Sequence, residues 1–279
     1  MKISLLAMLL LAHVIPTLPF TFTFSPNPAN TAARRLPSPL LMSDPGDFPS
    51  DTSFEPDPSP VPDAVIIDDP STSARDELLS ACKSPGSLGR AQLESLVSSL
   101  PPSPAPAPET SKWSLLEATT DRTRSSPFFA SFTEAIGLDK SSQIYSITDS
   151  IPSPLKEIGS ATQTFDSGSG TLVSRVVVST LGGASSSVMT SRCSYTPEAG
   201  GVSIKVLTTK PEDSTVLSLL PGALRGLAEA VPAFPSGEAL RVANGGEDVV
   251  VASREVYVDE VLRVNEMAGE VFVWERVFD

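Results

Sequence analysis

From Lys112 onward, apolar and polar residues alternate with a period of two, in short runs separated by turn-forming residues. The runs predict strands over Trp113–Thr119, Gln143–Thr148, Ser160–Phe165, Gly170–Leu181, Ser187–Tyr195, Val202–Thr208, Glu238–Asn244, Val249–Val258, Val261–Asn265 and Glu270–Phe278. The links Asp166-Ser-Gly-Ser-Gly170, Gly182-Gly183, Pro197-Glu-Ala-Gly-Gly201 and Asn244-Gly-Gly246 carry turn chemistry. Many short strands with hairpin-length links predict an antiparallel barrel or sandwich rather than a parallel sheet.

Three stretches follow a helical period instead. Arg75 to Lys83 sets Leu78, Leu79 and Cys82 on one face until Pro85-Gly86 breaks it. From about Gly89, Leu93, Leu96, Val97 and Leu100 recur at helical spacing until Pro101-Pro102, and Pro104-Ala-Pro-Ala-Pro108 makes a stiff spacer. Leu217, Leu220, Leu224, Leu227 and Val231 form the third stripe, with Arg225 and Glu229 opposite. This amphipathic helix is read as core packing or a lid on the barrel mouth. In the competing reading Leu217, Leu220, Leu224 and Leu227 face a membrane or lipid surface.

Composition divides the chain further. Of the 27 prolines, thirteen lie in residues 1–70 and six in 71–112, so the first 110 residues are expected to be mostly outside the compact fold. Lys2 precedes the apolar run Ile3–Ile15, which Pro16 stops; that run is too short to span a bilayer and reads as a secretory signal peptide. Residues 24–43 contain no acid and are rich in Ser, Pro, Ala and Arg, a transit-peptide composition. Together they form a two-part address for a complex algal plastid, with cleavage expected near Phe24 and near Ser43. Secretion followed by a disordered stalk is the alternative. Residues 44–73, acidic and Pro-rich, read as a disordered linker, which leaves residues 74–279 as the folded domain: a helical pair over 74–100 and a barrel over 111–279.

The formal charge is −13, and Lys and Arg form no stripe, which argues against nucleic acid as a partner. His13, the only histidine, falls in the leader, so a Ser-His or Cys-His nucleophile and a His-ligated metal are not expected in the mature protein. Cys82 and Cys193 are too few for a zinc site or disulfide framework, and Cys82 reads as a packed core residue. Ser153-Pro-Leu-Lys156 fits the Ser-x-x-Lys pattern of some hydrolases but lacks companion motifs. Asp166-Ser-Gly-Ser-Gly170 has no following Lys and helix, so it reads as a hairpin turn and not a phosphate loop. No catalytic residue, metal or cofactor is expected.

Two ends of the folded part carry a family resemblance. Ala74–Leu100, Ser111-Lys-Trp-Ser-Leu-Leu-Glu-Ala-Thr-Thr120 and Ser125-Ser-Pro-Phe-Phe129 resemble the opening of the plastid lipid-associated protein (fibrillin) family. Glu255-Val-Tyr-Val-Asp-Glu-Val-Leu-Arg-Val264, followed by Gly269-Glu-Val-Phe-Val273, is similar to that family's closing pattern, with Tyr257, Asp259, Leu262, Arg263 and Phe272 as its motif residues. The Arg-Gly turn of the family's last hairpin is replaced here by Asn265-Glu-Met-Ala268.

The resemblance implies a mainly β, lipocalin-like barrel whose lumen holds a hydrophobic lipid or isoprenoid, without enzymatic activity, at thylakoids or plastoglobules. The alternative it leaves open is a structural coat on plastid lipid particles. Trp113, Leu115, Phe128, Phe129, Val176, Val178, Ile204 and Val206 are the candidates for lumen or ligand contact, although each taken singly reads first as a filler of the core. Trp113 resembles the tryptophan that seals the closed end of lipocalin barrels beneath a late-strand arginine, here Arg263 or Arg276. Asp259 and Arg263, four residues apart, are expected to pair and shape the final hairpin.

Overall fold

Eight antiparallel strands pair in chain order and close into a barrel: β1 (Ser111–Ala118), β2 (Lys156–Asp166), β3 (Thr171–Thr180), β4 (Ser185–Glu198), β5 (Gly201–Glu212), β6 (Val251–Val258), β7 (Leu262–Met267) and β8 (Glu270–Arg276). β8 returns to β1, with Trp113 opposite Arg276 and Leu115 opposite Trp274, so the sheet has no open edge between first and last strand. This is the mainly β, lipocalin-like barrel expected. The computed structural model describes residues 70–84, 88–102, 109–153, 155–180, 182–215 and 232–278. The leader, most of the acidic linker and the Leu217–Val231 stripe lie outside them.

The up-and-down order assigns the links to two ends. At one end β2–β3, β4–β5 and β6–β7 are joined by short turns. At the other, the β1–β2 link carries a 3-10 turn (Arg122–Ser125), α3 (Pro127–Ile136) and α4 (Leu138–Asp149), and the β5–β6 link carries α5 (Ser236–Ala243). Both links fall at the same barrel end because each follows an odd-numbered strand. Helices therefore cover one mouth and hairpins close the other.

The two α-helices before the barrel, α1 (Pro70–Lys83) and α2 (Arg90–Ser98), lie against its outer wall. Leu78 and Leu93 are fully buried there, with Val97 and Leu100, against Tyr257, Leu262, Val264 and Val273. β7 is consequently buried on both faces: Leu262 and Val264 meet the helices while Asn265 and Met267 turn the other way. Its first four residues, Leu262 to Asn265, are therefore all buried, although Arg263 and Asn265 are polar.

Two expected strands are helices. Gln143–Thr148 lies within α4, where Ile144 and Tyr145 pack on the inner core while Ile147 stays exposed. Its β-branched content suits a strand, but Ile144, Tyr145, Ile147 and Thr148 also fit a helical period. Glu238–Asn244 lies mostly within α5, whose turn is braced by the Glu238–Arg241 pair at i, i+3. Gly237 lets the first turn of α5 rest on the β5 backbone, because a Cβ there would lie 2.2 Å from the Val206 carbonyl oxygen. This seat matters, since β5 pairs with β6 only over Gly201–Ile204, and beyond that α5 and the Thr209–Phe234 bridge cover it. The Ser-Pro-Phe-Phe segment opens a helix: Pro127 occupies the first helical position of α3, where its missing N–H leaves no bond unmade.

Candidate functional site

The hairpin end of the barrel is filled by large side chains. Trp113, Phe165, Leu172 and Trp274 are buried, and Phe165 meets Tyr195 edge to face. Trp113 donates its indole N–H to the Ser111 hydroxyl at 2.8 Å and lies under Arg276, whose guanidinium carbon is 5.8 Å from the ring centroid. Arg276 is thus the arginine that the Trp113 position called for.

Arg263 serves a different structure. It is fully buried and binds Glu255 through two bonds, Nε to Oε2 at 2.9 Å and Nη2 to Oε1 at 2.6 Å. A third donor, Nη1, reaches Gln163 Oε1 at 2.9 Å, and the guanidinium lies 4.8 Å from the Phe165 ring centroid. The expected Asp259–Arg263 pair does not form. Asp259 instead accepts from the amides of Val261 and Leu262 at 2.7 and 2.6 Å and from the Tyr257 hydroxyl at 2.9 Å, which fixes the β6–β7 turn. It also lies 3.5 Å from Arg75 of α1. The physical reason is alternation: Arg263 points into the barrel, between the outward Leu262 and Val264, whereas Asp259 stays in the turn. Glu255 was the missed partner. Its inward parity in β6, shared with Val251 and Ser253, was the available signal.

A polar row crosses the interior between the two ends. Gln163, Ser174, Ser191 and Thr209 stand opposite one another in register on β2, β3, β4 and β5, and all four are buried. Gln163 Nε2 donates to the Ser125 carbonyl at 2.9 Å, Ser126 Oγ donates to Ser191 Oγ at 3.2 Å, and Thr209 and Ser236 share a hydrogen bond of 3.0 Å. The row thereby ties the start of α3 and the start of α5 to the barrel wall. Next to it, the Trp274 indole donates to Asn265, which donates to Ser253, each at 2.7 Å.

Above the row lies the helix-covered mouth. α3 buries Phe128, Phe129 and Phe132, and Phe129 and Phe132 both meet the Tyr145 ring of α4. A half-open cleft of about 120 Å³ runs beside them, lined by Phe129, Ala130, Leu138 and Phe272, with Arg124 and Glu270 as its charged members. Both charges are engaged: Arg124 pairs with Asp149 and lies 4.5 Å from the Tyr145 ring centroid, while Glu270 takes Arg90 at 3.0 Å and Thr119 at 2.6 Å. Sites for drug-sized ligands enclose roughly 300–1,000 Å³, so this cleft holds only part of such a molecule.

The candidate residues distribute as follows. Trp113, Leu115, Val176, Ile204, Val206 and Phe272 join the inner core together with Phe128 and Phe129. Val178 is half-buried near the end of β3. Tyr257 and Leu262 face the outer helices instead. Leu217, Leu220, Leu224 and Leu227 lie outside the described residues. Ser153 and Lys156 are not joined: Ser153 donates to Glu157 at 2.9 Å, and the Lys156 ammonium reaches Asp121 at 3.2 Å. Burial pushes the Cys82 thiol up to about 11 and the Cys193 thiol up to about 12, the behaviour of packed cysteines and not of nucleophiles. Asp166 closes the β2–β3 turn, accepting from the Gly168 amide at 3.0 Å and the Ser169 hydroxyl at 2.6 Å. Among the described residues no helix is long and apolar enough to cross a membrane. No protein-family model matches the chain, and no curated protein matches it.

Proposed function

We propose that this chain is a non-enzymatic binder or carrier of hydrophobic lipids or isoprenoids, of the plastid lipid-associated (fibrillin) type. The observation that carries the reading is the helix-covered mouth. Three phenylalanines of one short helix are packed into a closed barrel, beside a cleft whose walls are largely apolar and whose charges are already paired. Such a site favours transfer of an apolar molecule out of water, at roughly 25 cal/mol per Å² of apolar surface covered. Among the described residues, its lining offers no nucleophile with an adjacent base. Residence in a plastid, at thylakoids or lipid globules, is proposed on the two-part leader and on the family-like ends.

Mass spectrometry of lipid extracted from the full chain, purified from plastid-bearing cells, tests the reading. A hydrophobic compound should co-purify at close to one molecule per chain. Recovery of the chain without lipid, and without lipid uptake afterwards, contradicts it.

One observation favours surface coating as a second reading. Leu207, Phe234, Val242 and Val250 are 44–49% exposed, and all come from β5, α5 and the segments flanking α5. If this surface docks on lipid globules, Phe234→Asp with Val242→Asp will abolish liposome flotation while leaving extracted lipid unchanged.

A further inference from the structure

We infer that the barrel interior receives a neutral oxygen-bearing group of its lipid, a hydroxyl or a carbonyl, at the Ser174 hydroxyl. The inference rests on the lipid-binding reading and specifies which lipids fit it.

Ser174 occupies the middle of the buried polar row, opposite Gln163 on one side and Ser191 on the other. It alternates with Leu172 and Val176, both fully buried in the inner core, so its side chain points into the barrel. The rest of the row is satisfied within the protein. Gln163 uses its oxygen for Arg263 and its amide for Ser125, while Ser191 and Thr209 are linked to Ser126 and Ser236. Ser174 Oγ finds no hydrogen-bond partner among the described residues, although the residue is only 1% exposed. Ser131 Oγ of α3 is in the same condition, on the helix face it shares with Phe128, Phe132 and Ala135. Folded proteins rarely leave a buried hydroxyl unpaired, because it has lost water and gained nothing in return. A barrel that carries two such hydroxyls in its interior is matched to a polar atom that arrives with a ligand.

The charges around this position select the chemistry. Arg263 and Glu255 are closed on one another inside the barrel, and Arg124 and Glu270 at the mouth are paired with Asp149 and Arg90. Among the described residues an anionic head would meet no uncommitted cation there, and its desolvation would go uncompensated. A pure hydrocarbon would leave Ser174 unpaired. A neutral hydroxyl or carbonyl does neither. The polar row also lies directly beneath the start of α3, through Ser125 and Ser126, so the oxygen-bearing end of a lipid reaches Ser174 only where Phe128 and Phe132 give way. Binding therefore shifts α3.

Trp113 and Trp274, the only tryptophans, both lie in the interior and report on this event by fluorescence. The full chain is titrated with three probes of equal tail, farnesol, farnesene and farnesoic acid. Farnesol should bind about tenfold more tightly than the other two, the size of effect one buried hydrogen bond supplies. Ser174→Ala should reduce farnesol affinity about three- to tenfold and leave farnesene unchanged. The same substitution should raise the melting temperature of the ligand-free chain by a few degrees, because it removes an unpaired hydroxyl. Equal binding of all three probes, or unaltered farnesol affinity in Ser174→Ala, overturns the assignment while leaving lipid binding intact. A lower melting temperature in Ser174→Ala overturns it as well, since that is the signature of a hydroxyl already bonded. Failure of all three to bind overturns the lipid-binding reading itself, and this inference with it.

Discussion

Arg263 shows how far a single residue's role depends on the direction it faces. A guanidinium with no exposure is tolerated only because Glu255 meets it with both oxygens, Gln163 takes a third donor and Phe165 lies beneath its face. Glu255→Gln, which leaves the buried cation without its charge partner, is expected to destabilise the chain by about 3–5 kcal/mol in chemical denaturation. Replacing both partners with apolar residues should recover most of that loss, because what is expensive is the unpaired ion and not the missing pair. Asp121 gives a pH handle. Burial alone would raise its pKa, but the Thr123 hydroxyl and amide and the Lys156 ammonium outweigh burial and hold the carboxyl below the usual range. Its stabilising contribution is therefore present above the unfolded carboxylate pKa of about 3.9 and is lost as pH falls further. A thermal scan should show stability falling below about pH 4, and Asp121→Asn should flatten that acid limb.

At the scale of elements, the period-two runs found all eight strands of the barrel because most of them have one face inside and one face outside, and alternation is what that geometry writes into a sequence. α1 and α2 were legible for the same reason at a different period. The misreadings share a cause as well. Gln143–Thr148 and Glu238–Asn244 are short and only partly covered, so few apolar positions distinguish period two from period 3.6, and Ile147 and Val242 are exposed despite being apolar. α3 was concealed by its Ser-Pro start, which reads as a turn until the following ring positions are known to be buried. Glu255 and the Gln163–Thr209 row were not legible as a site, since register across four strands is not visible along one. The outer helical pair carries its own prediction. Leu93 is fully buried on the outside of β7, so Leu93→Ala should cost about 2–5 kcal/mol, as a core position would. If denaturation shows a loss below about 1 kcal/mol, α1 and α2 are accessory to the barrel and not part of its fold.

On the scale of the whole molecule, the barrel is asymmetric in a way that suits a carrier. Its hairpin end is sealed by Trp113 under Arg276 and by the Arg263–Glu255 pair, whereas its other mouth is covered by helices tied down through a few hydroxyl contacts. In the proposed reading, α3, with its three buried phenylalanines, is the element a lipid displaces. Hydrogen exchange on the full chain, with and without saturating farnesol, tests this account most directly. The account predicts that the change in protection is centred on α3, α4 and the Leu172–Val176 stretch of β3, with α1 and α2 unaffected. A change confined to α5 and the exposed Leu207 and Phe234 surface, or no change anywhere in α3, would contradict it.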